Sequence, residues 1–292
     1  MPLGNSRWGS ARRGVVRGTA LALMLLLLGG VATAQRSART PRFKNIELCN
    51  GADRTSPDIQ IGGCTVLIDS GKETPKVLVI AYNNRGNAYM AKGEYDRAVQ
   101  DYDQSITLNP NYARAFNNRG VAYQKKGEYD RAIKDFDDSI KLDPNYASAF
   151  ANRAQTFLNK GDYERAVLDY DEAIRLNPNL EAVWNGRCWT RAIVGELQAA
   201  LADCNEALRL KPDLAATLDS RGLTYLKMGQ WDSAIDDYSS ALRLDPKLAS
   251  SLYGRGLAKL KKGDTDDGNA DIAEAKAIEA NIVEDFARYG VQ

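Results

Sequence analysis

The chain has 292 residues, 39 lysines and arginines against 38 aspartates and glutamates, and no histidine. Near-neutral charge leaves no electrostatic footprint for nucleic acid, and the missing imidazole removes the usual general base, Ser-His-Asp and Cys-His nucleophiles and the commonest zinc ligand. No metal cluster, glycine-rich phosphate loop or nucleophile elbow stands in its place, so the sequence is read as non-enzymatic and without a cofactor.

Residues 1–34 carry Arg7, Arg12, Arg13 and Arg17 and no acid, then an apolar run from Thr19 to Val31 and Ala32-Thr33-Ala34. This is the pattern of a secretory signal peptide with an A-x-A cleavage site, its apolar part too short to span a bilayer comfortably. Cleavage gives a periplasmic or secreted chain with no stable membrane insertion; an uncleaved signal anchoring it to the membrane is the alternative. Without the leader arginines the remainder is slightly acidic. Residues 35–44 are basic, poor in apolar side chains and broken by Pro41, and read as a flexible linker. In residues 45–78, Ser56 is placed to cap a helix that has Pro57 in its first position and ends at Gly71. Ile61, Cys64 and Ile68 share one face of that helix.

Proline then returns every 34 residues, at Pro110, Pro144, Pro178, Pro212 and Pro246. Setting it at repeat position 32 gives the segments 79–112, 113–146, 147–180, 181–214, 215–248 and a degenerate 249–282. Position 8 is small (Gly86, Gly120, Ala154, Cys188, Gly222, Gly256), position 20 is small (Ala98 through Gly268), and position 15 is always glycine, from Gly93 to Gly263. That glycine ends a first helix in the left-handed conformation and turns the chain into a second.

The strings YNNRGNAYMAKGEYDRAVQDYDQSITLNP and FNNRGVAYQKKGEYDRAIKDFDDSIKLDP resemble tetratricopeptide repeats, in the variant with Asn-Arg-Gly in the first helix. The resemblance implies an all-α fold, an α-solenoid of stacked antiparallel helix pairs wound as a right-handed superhelix. Its concave face would hold a peptide or helix from a protein partner, without chemistry. Residues 45–78 then read as a degenerate N-terminal capping repeat. After Ala280, which replaces the proline, the second helix is expected to run on. Residues 283–292 form its amphipathic end, with Ile278, Ile282, Phe286 and Tyr289 against the last repeat.

Four cysteines in an exported chain suggest disulfides. Cys188 and Cys204 replace positions 8 and 24 of one repeat, which face each other across a helical hairpin in that fold, and Cys64 aligns with Cys204. The expected pairs are Cys49 with Cys64 and Cys188 with Cys204; buried free thiols are the alternative.

Position 7 is Arg85, Arg119, Arg153, Arg187, Arg221 and Arg255, and position 23 is Asp101, Asp135, Asp169, Asp203, Asp237 and Asp271. A ladder of Arg-carboxylate pairs, within or between repeats, with aromatic rings over the arginine stems, is the expectation. A row of solvated charges is the other reading.

By the same resemblance, positions that line the groove put Asn83, Asn87, Asn117, Gln124 and Gln155 at an amide-rich end. Trp189 and Leu223, with Ile193, Leu226, Leu257 and Leu260, fall at an apolar end. The amides are expected to pair with an extended partner and the apolar residues to seat a helix or pack on their neighbours. The function expected is an exported scaffold, monomeric, binding a polypeptide in this groove. The alternatives are a cell-envelope accessory acting through the convex surface and a noncatalytic regulatory subunit of an enzyme.

Overall fold

The computed structural model describes residues 41–51 and 56–291, so the leader reading of residues 1–34 lies outside the described residues. These form fifteen α-helices and no strand. The first pair is α1 (Pro41–Cys49) and α2 (Pro57–Asp69). α1 begins inside the segment read from the sequence as a flexible linker. Proline at the first helical position gives up no hydrogen bond and its fixed φ suits the turn, so the residue taken as a breaker is a start. Ser56 caps α2, its Oγ accepting the Ile59 N–H at 3.4 Å, with Pro57 behind it.

Six further pairs follow: α3 (Pro75–Ala91) with α4 (Tyr95–Leu108), α5 (Ala113–Lys125) with α6 (Tyr129–Leu142), α7 (Ala147–Asn159) with α8 (Tyr163–Leu176), α9 (Glu181–Val194) with α10 (Leu197–Leu210), α11 (Ala215–Lys227) with α12 (Trp231–Leu244), and α13 (Ala249–Lys262) with α14 (Thr265–Ile278). Each first helix ends on a left-handed glycine. At Gly93, φ 74°, the Gly93 N–H donates to Met90 O at 3.0 Å and the Glu94 N–H to Tyr89 O at 2.9 Å, which satisfies two carbonyls of the last turn. The second helices stop on an extended residue. Asn109 is one, and its Oδ1 accepts the Asn111 N–H at 3.1 Å across the proline.

The sixth pair departs from the sequence reading. α14 does not run on past Ala280: Glu279 takes the same extended conformation, φ −135° and ψ 104°, and a separate α15 (Ile282–Arg288) follows. Packing replaces proline as the cause, because only a turn brings Ile282 and Phe286 into the core, where they are 2% and 1% exposed. Ile278, expected on the same stripe, faces solvent.

Inside the hairpins from α3–α4 to α11–α12 the alanine of the second helix, as at Ala98 and Ala132, is fully buried, and in the last hairpin Gly268 takes its place. Next to it a ring fills the space opened by the small residue of the first helix, Tyr102 at Gly86, Phe136 at Gly120 and Tyr238 at Gly222, whereas Ile272 lies against Gly256. A methyl added to Gly86 would lie 2.6 Å from Tyr102 Cε1, so the absence of a side chain there is what admits the ring. Each such ring removed from water contributes roughly 2 kcal/mol. Between α9 and α10 the ring is replaced by the Cys188–Cys204 bond, S–S 1.97 Å, and Cys49–Cys64, S–S 2.05 Å, joins α1 to α2. Consecutive first helices touch one another, as α9 touches α11 and α11 touches α13, whereas consecutive second helices do not. The first helices therefore line the inner side of the stack.

Candidate partner groove

The register of that inner face is held by arginine. In all six pairs the guanidinium of the first helix forks onto the aspartate of the second, Nε to one carboxylate oxygen and Nη2 to the other, at 2.6 to 2.9 Å. The bonds run within a repeat. The remaining Nη1 reaches back to the preceding one: to Thr65 Oγ1 from Arg85, to Asp103, Asp137 and Asp171 from Arg119, Arg153 and Arg187, and to Asn205 from Arg221. One side chain thus ties three helices. Rings lie over the guanidinium carbons, Trp184 over Arg187 at 4.9 Å and Phe150 over Arg153 at 5.7 Å.

Burial pushes the Asp135 carboxyl above its usual range against the pull of Arg119. At Asp271 burial acts in the same sense, but Arg255 and Lys259 together outweigh it and hold the acid below its usual range. Burial opposes the positive charge of Arg119, Arg153 and Arg187, yet their carboxylate bonds keep each guanidinium more firmly protonated than usual. The third arm escaped the sequence reading, although the spaced acids Asp103, Asp137 and Asp171 signal it.

The amides expected to meet a partner largely meet each other. Asn118 Nδ2 donates to Asn83 Oδ1 at 3.0 Å and to Asn87 Oδ1 at 3.1 Å, and Asn152 Nδ2 donates to Asn117 Oδ1 at 2.9 Å. Asn83 and Asn117 are buried by this pairing, which corrects their placement on an open surface. The reason is distance: first helices packed directly side by side bring amides of neighbouring repeats within hydrogen-bonding reach. Gln124 is half-buried and donates to Thr156 Oγ1 at 2.8 Å. Asn87 and Gln155 stay exposed, accepting the hydroxyls of Tyr102 and Tyr170.

At the apolar end Leu223 is 1% exposed and belongs to the core, so it offers no surface to a partner. Trp189 is half-buried, and Tyr289, the residue after α15, meets it in a T-shaped contact with ring centroids 4.9 Å apart. A cavity of about 640 Å³ opens beside this pair. Its walls combine the rings of Tyr129, Tyr163, Trp189 and Tyr289 with the amides of Gln155 and Asn159. Next to it a second cavity, about 380 Å³, is lined by Trp189, Asn185, Asp219, Ser250 and Tyr289. Asp219 is buried, 7% exposed, accepts Ser251 Oγ at 2.6 Å and Ser250 Oγ at 2.9 Å, and burial pushes its carboxyl up to about 6. Aromatic rings set among amides and the charged Lys160 and Arg288 suit a short polar segment of polypeptide.

A family model described as TPR repeat matches residues 86–127 and 222–263, and one described as tetratricopeptide repeat matches 113–146 and 147–180. These segments are tetratricopeptide repeats. No curated protein matches the chain. Among solved structures, YrrB, described as a TPR protein with an unusual peptide-binding site, is 22% identical with a TM-score of 0.52, over 66% of this chain and 97% of its own. Pseudomonas aeruginosa pilF is 17% identical with a TM-score of 0.63, over 74% of this chain and 99% of its own. A tetratricopeptide repeat protein from Parabacteroides merdae ATCC 43184 is 17% identical with a TM-score of 0.64, over 85% of this chain and 98% of its own. These likenesses show a shared fold. No helix among the described residues is long and apolar enough to cross a membrane.

Proposed function

We propose that the chain is an exported, non-catalytic scaffold that holds a polypeptide partner against the first helices of its tetratricopeptide repeats. The observation that carries this reading is the cavity walled by Tyr129, Tyr163, Gln155, Asn159 and Trp189: rings supply stacking area, and Asn159, whose Oδ1 accepts from Gln155 Nε2 at 3.0 Å, turns its Nδ2 to a peptide backbone. The peptide-binding site of YrrB, on the same kind of array, is consistent with it. Export rests on the leader pattern of residues 1–34 and on all four cysteines standing in disulfide pairs, bonds that persist in oxidising compartments.

A photo-crosslinking residue at Asn159, inside the groove, is compared with one at Leu168, on the exposed side of α8. The expected result is a discrete polypeptide adduct at Asn159 that disappears when Gln155 is replaced by Ala. Equal labelling at Leu168, or labelling indifferent to Gln155, would remove the groove from the reading.

A further inference from the structure

Seven residues of helix are too few to be stable alone in water, so the helicity of α15 comes from its seat. In that seat α15 leaves α14 and leans back over the inner face, with Tyr289 against Trp189. Ile282, Phe286 and Tyr289 form one stripe at i, i+4 and i+7. Phe286 meets Tyr253 of α13 at 4.8 Å, and Tyr289 reaches Trp189 of α9, three pairs earlier. Lys227, at the end of α11, donates to Tyr289 O at 2.7 Å and to Ile193 O at 3.0 Å. A cation thus stands at the negative end of the α15 dipole. Gly290, φ 75°, closes the helix: its N–H bonds Ala287 O at 3.1 Å and the Val291 N–H bonds Phe286 O at 3.0 Å.

Every feature of this seat describes a ligand. The apolar surface beside Tyr253 takes a helix stripe, Trp189 meets an aromatic ring at a steep angle, and the ammonium of Lys227 donates to a carbonyl at a helix C-terminus. Resting on the reading of the chain as a polypeptide scaffold, we propose that the first-helix face of α9, α11 and α13 is a docking site for a short amphipathic helix of a partner. Such a helix carries an aromatic pair three residues apart near its C-terminus, and α15 occupies the site in cis until that helix replaces it. The cavities beside Tyr289 are where the competing side chains gain a foothold. A segment that fills the site most of the time lowers the apparent affinity for a competitor by the fraction of time the site is open, so loosening α15 strengthens binding in trans.

The probe is a fluorescein-labelled peptide with the sequence of residues 281–292, titrated against the full chain and read by anisotropy. The full chain with Tyr289→Ala is expected to bind it at least tenfold more tightly than the unaltered chain, with helicity unchanged. A peptide with alanine at both aromatic positions is expected not to bind. Should Tyr289→Ala lose helicity, Gly290→Ala replaces it, because that residue is exposed and the strain at its positive φ loosens α15 without touching the core. Equal affinity of altered and unaltered chains, or no binding to a folded altered chain, overturns the proposal. Crosslinking at Asn159 would be unaffected by that failure, so the two readings stand or fall separately. A dimer formed by exchange of α15 between copies would also overturn it, since the occupant would then be a second copy.

Discussion

Leu223 stands where Asn87 and Gln155 stand in their own repeats, and beneath it the Tyr238 hydroxyl is fully buried with no hydrogen-bond partner. Tyr102 and Tyr170, at the matching place, give their hydroxyls to those amides at 2.7 and 3.1 Å. Tyr238→Phe is therefore expected to be neutral or to stabilise the chain by up to about 1 kcal/mol, while Tyr102→Phe costs about 1 kcal/mol. Urea denaturation of the two variants compares them, and an equal cost for both would show that Tyr238 has a partner after all.

Asp219 gives a pH dependence. Its folded value of about 6 lies above the ordinary value near 3.9, so between those limits the folded state binds more protons than the unfolded one. The stability of the neutral acid is complete below about pH 4 and is lost as pH rises through about 6. Asp219→Asn should thus be more stable than the unaltered chain at pH 7.5, by roughly 3 kcal/mol, with the difference vanishing at pH 4. Denaturation at the two pH values tests the sign, and a gap that grows on acidification contradicts it.

Coupling across the arginine fork is expected between Arg153 and Asp169, bonded at 2.7 Å through both oxygens. Asp169→Asn alone costs about 3 kcal/mol, because it leaves a half-buried guanidinium short of its counter-charge. With Arg153→Leu already present, the same change should cost about 1–3 kcal/mol less. Additive losses in the double-mutant cycle would mean that the two charges do not act as a pair.

The disulfides predict a redox effect. Replacing Cys188 and Cys204 together by alanine opens a loop of about 15 residues and is expected to destabilise the chain by about 3 kcal/mol. A non-reduced digest should yield the Cys49–Cys64 and Cys188–Cys204 linkages by mass spectrometry. Four alkylatable thiols in the chain purified without reductant would refute both.

Much of the fold was legible because its signals are local. Gly93 must take a positive φ, and Asn109 before Pro110 must leave the helix, wherever the neighbouring repeats lie. The groove was less legible because its chemistry depends on distances between repeats. Whether Asn118 serves a partner or Asn83 is decided by how closely α5 packs on α3, which no residue of either helix announces. Glu279 carries no breaker, so the turn before α15 could not be read from its own neighbours; it follows from the burial of Ile282 and Phe286. Leu223 looked like a groove residue because its position, not its surroundings, placed it there.

The backward arm of each arginine also sets how the array comes apart. Between the second and fourth repeats that arm ends on a charged acid, Asp103, Asp137 or Asp171, whereas from the fifth onward it ends on neutral Asn205 and, at 3.5 Å, on Ser239. In a linear stack cooperativity is the strength of the nearest-neighbour junctions. The first four repeats should accordingly lean on charge at their junctions, whereas the fourth to sixth are joined by one apolar core and by the contacts of Tyr289 and Lys227. Amide hydrogen exchange at rising salt would display this as a loss of protection among the first four repeats that the fifth and sixth do not share.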